Sequence, residues 1–257
     1  MIQDVIDIAV EAGHFLKHSV GTVRSVERKL GQDSNLVTEV DKRSEAMITE
    51  RIRMKYPGHA ILGEESGGSI TGADTVWIID PLDGTTNFTH GLPIFCVSIG
   101  VQHKGELVAG VVYDPNLDEL FSAERGGGAF LNGKRLHVSG TAELRESLLV
   151  TGFPYNIREN PHHAVEHFQA FLMEAQAVRR LGSAALDLCY IAAGRFDGFW
   201  EVALKSWDMA AGMLCVREAG GNVTNFRGEQ MKVTGVDLLA TNGKIHEAMR
   251  AVLKKNL

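Results

Sequence analysis

Asp80 and Asp83 are the residues of this sequence best placed to do chemistry. They sit in the segment Val76-Trp-Ile-Ile-Asp-Pro-Leu-Asp-Gly-Thr-Thr-Asn-Phe88, with two residues between them. Folded toward one point, their carboxylates and the Leu82 carbonyl between them are hard oxygen ligands of the type Mg²⁺ takes. Gly84-Thr85-Thr86 follows directly, and a helix beginning there would offer backbone N–H groups to a phosphate. Asp-Pro and Asp-Gly are also ordinary turn formers. A turn needs one acidic residue, however, not two bracketing a proline.

The elements around this segment place those groups. Val76 to Ile79 is apolar without alternation, which predicts a strand buried on both faces. Asp80 falls at its end, and Pro81 keeps Asp80 out of the α region. Two further acidic sites support a metal reading. Gly63-Glu64-Glu65-Ser66 follows the short strand Ile61-Leu62 and puts carboxylates at another strand end. Ser206-Trp207-Asp208 opens a helix, with Ser206 expected as N-cap and Asp208 in the first turn, where it also complements the helix dipole. Gly212, one turn on, is expected to leave that helix face open to a ligand.

The remaining chain reads as layered α and β structure. Ile2, Val5, Ile6, Ala9, Gly13 and Leu16 form a helical stripe, and a second helix is expected from about Asp41 to Tyr56, stopped by Pro57-Gly58. Cys96 to Val101, Leu107 to Tyr113 and Leu120 to Ala123 read as strands. Lys104-Gly105 and Asn132-Gly133 mark hairpin tips, and Gly126-Gly127-Gly128 a tight turn. Beyond residue 147 the reading is a strand at Leu148 to Thr151, helices at about 159–173, 183–194 and 207–219, a strand at Leu238 to Thr241 and a final helix. The polar, Gly-containing stretch from 20 to 36 reads as a mobile loop or weak hairpin.

Composition narrows the function. At 257 residues the chain is long enough for one large domain or two joined halves. A net charge of −6 without a basic block disfavours a nucleic-acid binder. Cys96, Cys189 and Cys215 stand in apolar settings with no Cys-x-x-Cys pair, which suggests reduced thiols. The acidic N-terminus and the lack of a membrane-length apolar run suggest a soluble, cytoplasmic protein.

Three segments together resemble the signatures of the inositol monophosphatase family: Gly63-Glu-Glu-Ser66, Trp77 to Phe88, and Trp207-Asp-Met-Ala-Ala-Gly212. This family belongs with the Mg²⁺-dependent, lithium-sensitive phosphatases that include fructose-1,6-bisphosphatases. The likeness extends to Leu36-Val-Thr-Glu-Val-Asp41, Gly128-Ala-Phe-Leu-Asn-Gly133 and Gly182-Ser-Ala184, so it spans nearly the whole chain. It implies an α+β/α/β layered sandwich (α-β-α-β-α) forming a single phosphatase domain over 1–257, with an α+β half of about 1–140 and an α/β half of about 141–257.

The resemblance also implies roles. One Mg²⁺ would be held by Glu64, Asp80 and the Leu82 carbonyl, a second by Asp80, Asp83 and Asp208, and a weaker third by Glu64 and water. Glu64 and Thr85 would orient the attacking water, with Asp41 accepting a hydrogen bond from Thr85. Phosphate would lie on the N–H groups of Gly84 and Thr85, and Glu201 with Gly182, Ser183 and Ala184 would contact the alcohol portion. Myo-inositol 1-phosphate is the expected substrate, with fructose 1,6-bisphosphate, histidinol phosphate and nucleotide phosphates as alternatives. A homodimer that binds neither membrane nor nucleic acid is implied. The segment 20 to 36 would help order the third ion and close over substrate.

Two competing readings are weaker. Aspartyl-phosphate phosphatases of the haloacid dehalogenase type use Asp-x-Asp, whereas two residues separate Asp80 from Asp83 here. A regulatory phosphate-binding protein retaining the fold would be signalled by loss of a ligand, yet Glu64, Asp80, Asp83, Thr85 and Asp208 are all present. His163 and His167, spaced i, i+4 beside His162, lack a clear acidic third ligand. Trp77 and Trp207 read as packing anchors beside the site.

Overall fold

In the computed structural model, which describes residues 1–21, 26–28 and 36–256, helix α1 (Ile2–Ser19) turns Val5, Ile8, Ala9, Ala12 and Leu16 inward. A short antiparallel pair, β1 (Val26–Arg28) with β2 (Leu36–Thr38), leads into α2 (Glu39–Lys55). Thr38 starts that helix: its Oγ1 accepts the Val40 N–H at 3.1 Å, and Asp41 Oδ2 accepts the Thr38 N–H at 2.9 Å, which satisfies first-turn donors reciprocally. Most of the expected loop from 20 to 36 lies outside the described residues.

Strands β3 (Ala60–Gly63), β4 (Thr75–Asp83), β5 (Cys96–His103), β6 (Glu106–Asp114), β7 (Glu119–Glu124), β8 (Gly128–Leu131) and β9 (Lys134–Arg135) form a sheet in that order. All its pairs are antiparallel except β3 with β4. The short helix α3 (Thr85–Thr89) follows β4. A second sheet has the order β11-β10-β12-β14-β13, built from β10 (Leu148–Thr151), β11 (Ala177–Arg179), β12 (Gly198–Val202), β13 (Asn222–Thr224) and β14 (Asp237–Thr241). Helices α4 (Ala164–Glu174), α5 (Ala184–Ala192), α6 (Ser206–Glu218) and α7 (His246–Leu253) complete the chain.

Side-chain alternation along β4 sets the layering. Trp77 and Ile79 pack with Val5, Leu16, Ile48 and Ile52 of α1 and α2, while Val76 and Ile78 face α5 and α6 on the other side; successive strand residues point to opposite faces. The α5–α6 layer also covers Val150, Phe199 and Leu238 of the second sheet. That sheet's other face, with Leu149, Trp200 and Leu239, carries α4 and α7. The result is an α-β-α-β-α sandwich.

Several local expectations change. Gly212 does not open a ligand face: a Cβ there would lie 2.5 Å from Leu188 Cβ, so its role is the close approach of α6 to α5. The helix expected from 159 starts only at Ala164, because Asn160, His162 and His163 take φ values of 48°, 51° and 56°. Pro161 contributes to the delay by disfavouring the right-handed helical region at Asn160. Gly128 belongs to a strand as well as to the Gly-rich turn before it. The hairpin tips hold, with positive φ at Lys104, Gly105, Asn132 and Gly133. Cys96, Cys189 and Cys215 are free and buried. No helix among the described residues is long and apolar enough to cross a membrane.

Candidate active site

A bulge in β4 brings the two motif aspartates together. Asp80 pairs with Ser98 and Asp83 with Cys96, so three steps along β4 oppose two along β5. In a regular strand, residues three apart point to opposite faces; one inserted residue returns Asp83 to the face of Asp80. Pro81 has no N–H for the ladder, which favours a bulge at this point. The strand therefore does not stop at Asp80, as its sequence suggested, but buckles and continues to Asp83.

Each aspartate is then fixed. Asp80 Oδ1 accepts the Leu82 N–H at 3.0 Å. Asp83 Oδ2 accepts the Ser183 hydroxyl at 2.6 Å and the Ala185 N–H at 2.8 Å at the start of α5. Gly84 follows with φ of 97°, and a Cβ there would lie 2.8 Å from the Ile94 carbonyl oxygen; glycine is required to turn the chain into α3.

Helix α2 supports the site from the opposite side. Thr85 Oγ1 lies 3.0 Å from Asp41 Oδ1 and 3.1 Å from the Leu82 carbonyl. Ser44 Oγ donates to the Pro81 carbonyl at 3.0 Å. Glu45, buried, accepts the Glu65 N–H at 2.8 Å and the Ser66 N–H at 2.7 Å, which anchors the loop carrying Glu64. A side chain at Gly63 would occupy the space of that Glu45 carboxylate. Asp208, third residue of α6, accepts the Lys205 N–H at 2.6 Å. Lys205, not Ser206, is the N-cap: Asp208 reaches back over the first turn and takes the capping role that Ser206 was expected to fill.

These elements enclose a cavity of about 610 Å³ lined by Glu64, Asp80, Asp83, Asp208, Glu201 and Asp187 among others. Burial pushes Asp80 well above the ordinary carboxylate range, with Glu64, Asp83 and Asp208 adding repulsion. Burial likewise raises Asp208, against the Lys205 N–H and with Asp83 and Glu64. Asp83 is raised less simply, since Ser183 and the α5 N–H groups oppose its desolvation. Asp41 is raised by burial despite its bonds to Thr38 and Thr85.

This donor set fits divalent cations. Among the described residues no three His, Cys, Asp or Glu side chains close into a ready coordination sphere. Mg²⁺ does not require a closed protein cage: it dehydrates reluctantly and keeps several positions for water and phosphate oxygens. The mutual repulsion of the cavity carboxylates is what such an ion would relieve.

All the expected site residues except Asp41 line this cavity: Glu64, Asp80, Leu82, Asp83, Gly84, Thr85, Gly182, Ser183, Ala184, Glu201 and Asp208. Asp41 joins through its bond to Thr85. Trp207 lines the cavity too, whereas Trp77 is fully buried and donates to His59 Nδ1 at 3.0 Å. His163 precedes α4 with left-handed backbone while His167 is buried against Phe226, in keeping with the reading that set the pair aside as metal ligands. Sequence reasoning missed Glu45, Arg180 and Asp187. An acidic residue on the inward stripe of α2, and another inside the apolar run of α5, were the available signals.

The whole chain, residues 1–257, matches the inositol monophosphatase family. The chain belongs to that family. It is 41% identical over 259 residues to the inositol-1-monophosphatase of Mesorhizobium japonicum, covering 100% of this chain and 97% of the relative. It is 45% identical over 264 residues to a Pseudomonas aeruginosa protein named Nus factor SuhB, with coverage of 100% and 97%. Among solved structures it superposes on the extragenic suppressor protein suhB of Bartonella henselae with a TM-score of 0.92 and 40% identity, covering 99% of this chain and 98% of the other. Family membership and the layered fold thus agree with the motif reading, and the family supports a phosphatase.

Proposed function

We propose that this chain is a Mg²⁺-dependent phosphomonoesterase acting on a small polyol or sugar phosphate, with myo-inositol 1-phosphate as its leading substrate. The observation that carries the proposal is the convergence of Glu64, Asp80, Asp83 and Asp208, from three separate parts of the chain, on one cavity. Glu64, Asp80 and the Leu82 carbonyl would hold one ion, and Asp80, Asp83 and Asp208 a second; a third would rest on Glu64. When bound, the ions neutralise charge on the ester and lower the pKa of water.

The chain's own groups do the positioning. Thr85, donating to Asp41, turns hydroxyl lone pairs toward the cavity, where they accept a hydrogen bond from the attacking water; Glu64 orients the same water. Glu45 keeps the Glu64 loop in register through Glu65 and Ser66. N–H groups of Gly84 and Thr85 receive phosphate oxygens. Because α3 has five residues, these local donors matter more than a helix dipole. The Gly182–Ala184 turn and Glu201 face the alcohol. Phosphoryl transfer needs this positioning more than a protein nucleophile.

The test is phosphate release from a panel of esters with and without Mg²⁺. Metal-dependent turnover with preference for inositol 1-phosphate supports the proposal in full; preference for another ester keeps the chemistry and changes the substrate. Inhibition by Li⁺ and a homodimer in solution belong to the same family reading. Likeness to a relative named Nus factor SuhB favours a second, non-catalytic role beside catalysis. An Asp80→Asn chain separates the two, because a factor role survives that change and turnover does not.

A further inference from the structure

Two more carboxylates line the cavity beyond those assigned to ions. Asp187 is the fourth residue of α5 and Glu201 lies on β12. Both are buried, at 1% and 8% exposure. Asp187 stands out in a helix otherwise made of Ala, Leu, Cys, Tyr and Ile. Among the described residues its Oδ1 has no hydrogen-bond partner. A buried acceptor without a donor is costly, and side chains of this kind in a cavity commonly mark where a ligand supplies the missing group.

The surroundings make room for the pair. Glu201 rests against Gly152, where any Cβ would run into its carboxylate. Arg180 leans over Gly182, with Nη1 2.8 Å from where a Cβ would stand, and lines the same cavity. Burial raises both carboxyls well above their ordinary range; Glu201 and Asp83 add to the shift of Asp187, and Arg180 opposes it at both.

We propose that Asp187 joins Glu201, already placed on the alcohol side, so that the two carboxylates bind two neighbouring hydroxyls of the alcohol moiety and Asp187 becomes a specificity-determining residue. This rests on the phosphatase reading and names the substrate feature it selects. Hydroxyls suit the site because each donates to one carboxylate oxygen and still accepts from another donor. Loss of one hydroxyl would leave a buried carboxylate oxygen unpaired, the situation in which sites discriminate strongly against the deoxy analogue.

The test compares kcat/KM for myo-inositol 1-phosphate and cyclohexyl phosphate, the same ring without hydroxyls, in wild type and in Asp187→Asn and Asp187→Ala. The expected result is a fall of about tenfold or more in the ratio of the two values, expressed mainly as a higher KM for the inositol ester. A ratio within about twofold of wild type in both folded variants overturns the subsite. Circular dichroism identifies a variant that has not folded. In that case deoxy-inositol 1-phosphates, each lacking one hydroxyl, are tried on the wild-type protein: a loss concentrated at two adjacent positions supports the subsite, and a uniform loss overturns it. Wild-type protein that hydrolyses neither ester with Mg²⁺ is a different result, and it overturns the phosphatase reading on which the subsite stands.

Discussion

Glu45 on α2 accepts the backbone N–H of Glu65 at 2.8 Å, so a buried helix carboxylate sets the position of the loop that carries Glu64. The Ser66 N–H fills the second Glu45 oxygen at 2.7 Å. Glu45→Ala removes both acceptors and should lower kcat/KM about 10²-fold, the scale expected when a catalytic group is misplaced by about 1 Å. Glu45→Gln keeps one acceptor oxygen and should lose less. Steady-state kinetics of the two variants check the order; equal effects would separate Glu45 from the loop.

Thr85 and Asp41 form the second support, at 3.0 Å. Thr85→Ser keeps the hydroxyl and should retain most activity, whereas Thr85→Val and Asp41→Asn should lower kcat by about 10²–10³-fold, the usual range for a positioned proton acceptor. A Thr85→Val enzyme as active as Thr85→Ser would show that the methyl group, not the hydroxyl, matters here.

Gly152 tests the alcohol side of the cavity. Any side chain there meets the Glu201 carboxylate, so Gly152→Ala should displace Glu201 and raise KM for a polyol phosphate more than it lowers kcat. A changed kcat at constant KM would argue that Glu201 acts on the reacting atoms.

His167 carries a pH prediction away from the active site. Its ring is 1% exposed and edge-on to Phe226 at 5.3 Å. Burial lowers its pKa, with His163 in the same direction and Glu166, Asp237 and the His162 backbone opposed. The unfolded chain therefore binds more protons than the folded one between the lowered value and the ordinary 6.5. Stability is full above that ordinary value and falls as pH drops below it. His246, lowered by burial as well, adds to the slope. Replacing His167 by Phe should raise Tm more at pH 5.5 than at pH 8, by about 2–4 °C for each kcal/mol regained. An identical shift at both pH values would contradict this.

The central motif was legible because its chemistry and its fold signal coincide: four apolar residues, then Asp80 and Asp83 around Pro81. The bulge was not, since its existence depends on how β4 pairs with β5. The strand β12, Gly198–Val202, gives a weak signal because Glu201 interrupts its apolar run. β11 and β13 have three residues each, too few for alternation to register. Glu45 and Asp187 were passed over for a physical reason: a carboxylate on a helix reads as solvent-facing until tertiary packing buries it.

The central claim is that the cavity around Asp80 performs metal-dependent ester hydrolysis, and phosphate release by Asp80→Asn with Mg²⁺ tests it most directly. The account predicts that kcat/KM falls by about 10³-fold or more while circular dichroism is unchanged, and that the metal-free variant is at least as stable as wild type because a repelled buried charge has been removed. Turnover near the wild-type rate would contradict the account.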